Sequence, residues 1–171
     1  LYMGGKIKAY ERITRAQEQL AADEQRATQQ QLVLDLDKAY WQVVSLANKQ
    51  RLARSYRDML QHLDSDMVKM IAEGVATKSN GLSVGVKLNE AEMTLTKVDD
   101  GLTLSRMLLC QLCGLPLDTP VKLADEVKEN LIAETADITA DVQTAFQFRT
   151  ELKQLETAQQ IYTDQVQIIR S

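Results

Sequence analysis

Apolar positions recur at helical spacing along most of the chain. Leu32, Leu36, Ala39, Val43 and Leu46 step by 4, 3, 4 and 3 residues, and Leu52, Tyr56, Met59, Leu63, Met67 and Met70 by 4, 3, 4, 4 and 3. A partial second stripe runs through Tyr40, Val44 and Ala47. A period near 3.5 predicts a helix packed against other long helices with coiled-coil geometry. Two stripes predict neighbours on two sides, as in a bundle or a cylinder wall. The first proline is Pro116, so no ring forces an earlier stop. The pattern therefore predicts one helix from Lys6 to Ala72, roughly 100 Å long at about 1.5 Å per residue.

The periodicity breaks at Glu73-Gly74-Val75-Ala76-Thr77-Lys78-Ser79-Asn80. Gly74 suits a helix C-terminal cap that needs positive φ. Ser79 or Asn80 suits the N-cap of the next helix. That helix is expected from about Gly81 to Leu112, with a seam of Val84, Leu88, Ala91, Leu95, Val98 and Leu102. Gly85 and Gly101 weaken it by about 1 kcal/mol each, unless close helix approach requires them. Gly114-Leu115-Pro116 ends it. Residues 115–136 read as an irregular equatorial connector with room for one short strand at Val121–Leu123. Asp137 is the expected N-cap of a short helix, Ile138 to Phe148. Thr150 and Glu151 open a last helix, Leu152 to Arg170, striped by Leu152, Leu155, Ala158, Tyr162, Val166 and Ile169.

The expectation is an all-α chain. Residues 1–114 form a very long antiparallel coiled-coil hairpin with its tip at 73–80. The second helix reaches about half way back along the first. Two further helices, in 137–171, pack at the end away from the tip.

Composition agrees with long helices: aromatics are 5%, with 7 Gly and 2 Pro in 171 residues. A net charge of −4 gives no basic footprint for nucleic acid. No run approaches the ~18 apolar residues of a membrane-spanning helix. The chain opens at Leu1 and closes at Ser171 within polar helical sequence, so it is expected to be a piece of something larger. Cys110 and Cys113 form a C-x-x-C inside helical sequence, without the strand-to-helix entry of a redox motif. Two small residues packed inward as free thiols are the expectation. An enzyme is not expected, and no cofactor or metal is implied. A single histidine, His62, cannot build a nucleophile–base–acid set, and there is no phosphate loop. Glu90 and Glu92 lie two apart and share no helix face.

Several stretches together resemble the TolC-like outer-membrane efflux proteins. They are Gly4-Gly5-Lys6-Ile7 entering a long helix, the turn Glu73 to Asn80, the run Leu109 to Pro116 and Arg149-Thr150-Glu151-Leu152. The last is similar to the Arg-Pro-Glu-Leu that opens the family's second repeat, with Thr150 in place of Pro. Asn80-Gly81 departs from the usual Asp followed by an aliphatic residue. The resemblance implies a homotrimeric channel, with a 12-stranded barrel in the outer membrane and a helical tunnel in the periplasm of a Gram-negative bacterium. This chain would be tunnel wall, between the first β-hairpin and the second. No alternating strand of the barrel kind is present in it. Its function would be a passive export duct for drugs or other small molecules in a tripartite efflux pump. The partners would be a periplasmic adaptor protein and, through it, an inner-membrane pump. The family's adaptor-contact pattern falls on Gly74, Val75 and Ser79. Alternatives are a structural coiled-coil scaffold without transport, which predicts helices of similar length, and the adaptor's own hairpin, whose lipoyl-like flanks are missing.

Overall fold

The computed structural model describes residues 5–127 and 141–170. Among them 88% are helical and no strand occurs, so the fold is all-α. The elements are α1 (Lys6–Ala72), α2 (Lys78–Leu112), a 3-10 turn (Ala124–Val127), α3 (Val142–Phe148) and α4 (Thr150–Arg170). Val121–Leu123 is irregular backbone leading into the 3-10 turn, not a strand. Asp137 and Ile138, the expected start of the third helix, lie outside the described residues. The helix that is described starts at Val142, and its N-cap is Asp141. The Asp141 carboxylate accepts from the Gln143 amide at 3.0 Å and from the Thr144 hydroxyl. These bonds, the Thr144 hydroxyl foremost, hold its pKa below the ordinary carboxylate value. The fourth helix starts at Thr150, two residues earlier than its apolar stripe suggests.

The chain divides into two compact units. One comprises 35–127 of the described residues, the other 5–34 and 141–170. The helix α1 supplies residues to both.

In the first unit α1 and α2 pack together. Burial on α1 recurs at Leu36, Ala39, Val43, Leu46, Gln50, Ala53, Arg57, Leu60, Asp64, Met67 and Ile71, in steps alternating 3 and 4. On α2 the covered positions are Gly81, Val84, Leu88, Ala91, Leu95, Val98, Leu102, Ser105, Leu109 and Leu112. The α2 seam is the expected one, extended at both ends. The α1 seam is the expected one only from Leu36 to Leu46; Leu32, expected to begin it, is 49% exposed. Beyond Leu46, Leu52, Tyr56, Met59, Leu63 and Met70 of the expected stripe are 72, 47, 55, 43 and 41% exposed, and only its Met67 is half-buried in the seam. The face beside that stripe is used instead, although that face includes Gln50, Arg57 and Asp64. Polar members are tolerated where they find partners: Gln50 Nε2 donates to Asp99 Oδ1 across the pair at 2.6 Å. A long Arg stem also covers apolar surface while its head stays wet.

Ala39, Val43, Leu102 and Leu109 form the core of this unit, with Leu36, Leu46, Ala47, Leu112, Val121 and Leu123 packed around them. Val43, Val44 and Cys110 are the largest fully buried side chains. Burying a Val side chain contributes about 1.5–3 kcal/mol. The second stripe of α1 is also used. Tyr40 donates its hydroxyl to Asp125 at 2.6 Å, and Val44 is 1% exposed.

In the other unit, burial on α1 recurs at Lys6, Ala9, Ile13, Ala16, Leu20, Asp23 and Ala27, again in steps of 3 and 4. On α4 it recurs at Thr150, Gln154, Thr157, Ile161, Asp164 and Ile168. This corrects most of the expected α4 stripe: Leu152 and Ala158 are half-buried, but Leu155, Tyr162, Val166 and Ile169 are 67, 68, 45 and 84% exposed. The seam in use is held by polar contacts. Arg12 donates from Nε and Nη2 to Asp164 Oδ1 at 2.9 and 2.7 Å. Gln160 donates to Asp164 Oδ2 at 3.2 Å. The Asp164 side chain is 4% exposed, so its charge needs these donors. They hold its carboxyl below the ordinary range, Arg12 contributing most. At the far end of this seam Thr150 donates to Gln30 Oε1 at 3.2 Å.

Candidate functional site

Of the residues that the sequence singles out, Gly74 and Val75 lie between α1 and α2, and Ser79 lies in the first turn of α2. Ile71 and Met67 of α1 lie beside Gly81 of α2, and Leu46 lies beside Gly101, so residues late in α1 meet residues early in α2. The chain must turn between them, and backbone hydrogen bonding makes that turn. Gly74 has φ +77, where a Cβ would crowd the following carbonyl. The Gly74 amide donates to Ile71 O at 3.1 Å and the Val75 amide to Met70 O at 2.9 Å. This pair of bonds is a Schellman cap, which satisfies the last carbonyls of α1.

The start of α2 differs from expectation. Its N-cap is Thr77, neither Ser79 nor Asn80. Thr77 has extended backbone and its Oγ1 accepts from the Asn80 amide at 3.3 Å. The same hydroxyl donates to Asn80 Oδ1 at 2.8 Å. Ser79 and Asn80 lie in the first turn of α2, and Ser79 keeps an exposed side chain. Its own helix needs no cap from Ser79, because Thr77 supplies one. Residue type alone does not single out Thr77, because Thr77, Ser79 and Asn80 are all competent caps.

Val75 is 69% exposed. Gly74, Val75 and Ser79 are thus brought to one short exposed stretch: a backbone without a side chain, an apolar knob and an unengaged hydroxyl. The arrangement offers contacts to a partner surface. No group of three or more His, Cys, Asp or Glu that could hold a metal occurs among the described residues. No described helix is long and apolar enough to cross a membrane.

The two cysteines are free thiols in unlike settings. Cys110 is buried and Cys113 exposed, so inward packing holds for the first alone. Cys113 lies at the C-cap of α2, where the helix face turns to solvent. The chain leaves α2 through a second Schellman cap at Gly114, whose φ is +68. The Gly114 amide donates to Gln111 O at 3.1 Å, and the Leu115 amide to Cys110 O at 2.8 Å.

Compared with known proteins, the chain matches no protein-family model, no curated protein and no solved structure.

Proposed function

We propose that this chain is periplasmic tunnel wall of a TolC-like outer-membrane channel. In this reading α1 and α2 form a long antiparallel hairpin with coiled-coil packing, and residues 73–80 are its tip. Three copies of the full-length protein enclose one passive export duct for drugs or other small molecules. Energy comes from an inner-membrane pump, joined to the duct by a periplasmic adaptor that docks on Gly74, Val75 and Ser79.

The observation that carries this reading is the apolar stripe Leu52, Tyr56, Met59, Leu63 and Met70. It keeps helical register for almost 20 residues, yet it is 41–72% exposed. An aligned stripe of that length beside a filled seam calls for a second helical neighbour. A wall helix has such a neighbour, whereas a free-standing two-helix rod has none. The exposed turn adds a docking point at the place where the family makes one.

The test replaces Gly74 by Trp in the full-length protein. Gly74 sits at φ +77, so a side chain there costs about 1–2 kcal/mol, while the long seams are untouched. The expected result is drug hypersensitivity at a normal outer-membrane level, with loss of adaptor cross-linking through Val75. Normal efflux at normal expression would exclude this turn as the docking site.

A further inference from the structure

In the unit formed by residues 35–127, one face of α1 lies beside the α2 seam and carries no cover. Leu52, Tyr56, Met59 and Leu63 make its apolar middle. Lys49 and Asp66 bracket that middle, with Ser45 and Met70 outside them, and all of these residues are exposed. From Ser45 to Met70 they step by 4, 3, 4, 3, 4, 3 and 4 residues. That series reads the same from either end. A second α1 laid antiparallel, with a twofold axis between Tyr56 and Met59, therefore sets every position of this face opposite another one. Tyr56 of one copy meets Met59 of the other, and Leu52 meets Leu63. Lys49 meets Asp66 once at each end, and Ser45 meets Met70.

Charge selects this arrangement. Lys49 has no acidic partner among the described residues. Asp66 Oδ1 accepts from Lys69 at 3.2 Å, but both side chains are exposed, and such a pair holds its members weakly. Asp66 Oδ2 is unengaged among the described residues. Two copies laid parallel and in register would set Lys49 beside Lys49 and Asp66 beside Asp66, and like charges in an interface are costly. The antiparallel register turns both repulsions into ion pairs and leaves apolar residues to meet apolar ones. Shape agrees with charge. An open concavity of about 410 Å³ lies at the Ser45 end of the face, lined in part by Trp41, Ser45, Asn48 and Leu52. The residue set opposite Ser45 is Met70, an unbranched side chain that fills irregular gaps and packs well on aromatic rings.

We propose that two copies of this chain pair antiparallel through this face of α1. Copies of a channel anchored in one membrane run parallel, so in the full-length trimer of the export reading the same face meets a different helix. That reading is tested at Gly74 and holds or fails separately; the antiparallel pair belongs to the 171-residue chain in solution.

Sedimentation equilibrium of the whole chain at micromolar concentration should give a dimer. Zero-length carbodiimide cross-linking of that dimer should join Lys49 to Asp66. These two stand about 25 Å apart along one helix, so the cross-linked peptide can only come from two copies. Lys49→Glu alone, or Asp66→Lys alone, sets like charges opposite each other at both ends and should weaken the dimer about tenfold. The double variant, Lys49→Glu with Asp66→Lys, restores opposite charges and should recover it. Leu63→Asp should leave a monomer. Circular dichroism checks that each variant stays folded. Should Leu63→Asp unfold the chain, the charge variants decide, since both positions lie outside the α1–α2 seam. A monomeric or trimeric chain would overturn the proposal. So would a dimer without the Lys49–Asp66 cross-link, or one that the single and double charge variants leave equally tight.

Discussion

Two glycines in α2 separate helix propensity from helix packing. Gly85 lies inside the helix, and a Cβ built on it meets nothing within 4 Å. Gly85→Ala therefore gains only the propensity difference, about 0.5–1 kcal/mol. Gly81 lies in the seam, where a Cβ would stand 2.8 Å from Ile71 Cδ1 and 3.8 Å from Met67 Cγ. Carbon atoms rest at about 3.5–4.0 Å, so Ile71 must move by roughly an ångström or leave its rotamer. Overpacking costs about 1–3 kcal/mol, and the low end applies here because the atom that must give way is the terminal methyl of a half-buried side chain. Set against the same helix gain, Gly81→Ala should be roughly neutral. The two variants should thus differ by about 1 kcal/mol, although both make the same chemical change. In a unit of this size about 1 kcal/mol shifts the melting temperature by about 4–8 °C. Trp41, the single tryptophan of the chain, lies in the same unit, so urea melts followed by its fluorescence report on the right region. If Gly81→Ala proves as stable as Gly85→Ala or more so, the close approach of α1 to Gly81 is refuted.

Two further outcomes follow from charge and exposure. Hydrogen bonds from Arg12 and Gln160 depress the folded pKa of Asp164 below its ordinary 3.8. The stability it adds is therefore present above about pH 4 and lost as pH falls through the lowered folded value. Acid titration of unfolding should show this loss, and Arg12→Gln should flatten that part of the profile; an unchanged profile would remove the pair from the account. In the folded, unreduced chain a thiol reagent should titrate Cys113 promptly, with Cys110 following only on unfolding. Two thiols reacting together in the folded chain would contradict the burial of Cys110, and none reacting in the unfolded chain would mean that the two are joined.

Helix positions and the α2 seam are legible in the sequence because Val84, Leu88, Ala91, Leu95, Val98 and Leu102 make one apolar stripe with no rival. In the later part of α1 there are two candidate faces, and the more apolar one is not the one that meets α2. Periodicity ranks faces by apolarity and carries no information about which neighbour covers each. Gln50 looks like an outward position until its partner Asp99 is seen across the seam. The last helix repeats this: Thr150, Thr157 and Asp164 are covered, and Tyr162 and Ile169 are not. Arg12 and Asp164 are 152 residues apart, and nothing local couples them. At the turn, the Gly74 cap was legible from residue type alone. The N-cap was misplaced by two or three residues because Thr77, Ser79 and Asn80 are all competent caps, and hydrogen-bond geometry chooses among them.

The division of the chain has a consequence for its synthesis. One unit is built from a continuous stretch, 35–127, and its cross-helix bond Gln50–Asp99 spans 49 residues. The other joins two stretches far apart in the chain: Gln30 bonds Thr150 across 120 residues and Arg12 bonds Asp164 across 152. A ribosome releases the whole continuous stretch before α4 exists. The early part of α1 must therefore wait, its covered face of Ala9, Ile13 and Leu20 open to water, until the last 21-residue helix emerges. Closing the longer loop adds only about 0.6 kcal/mol per doubling of length. The delay is one of time, not of stability, and in that interval the covered face of residues 5–34 is open to holdase chaperones and proteases.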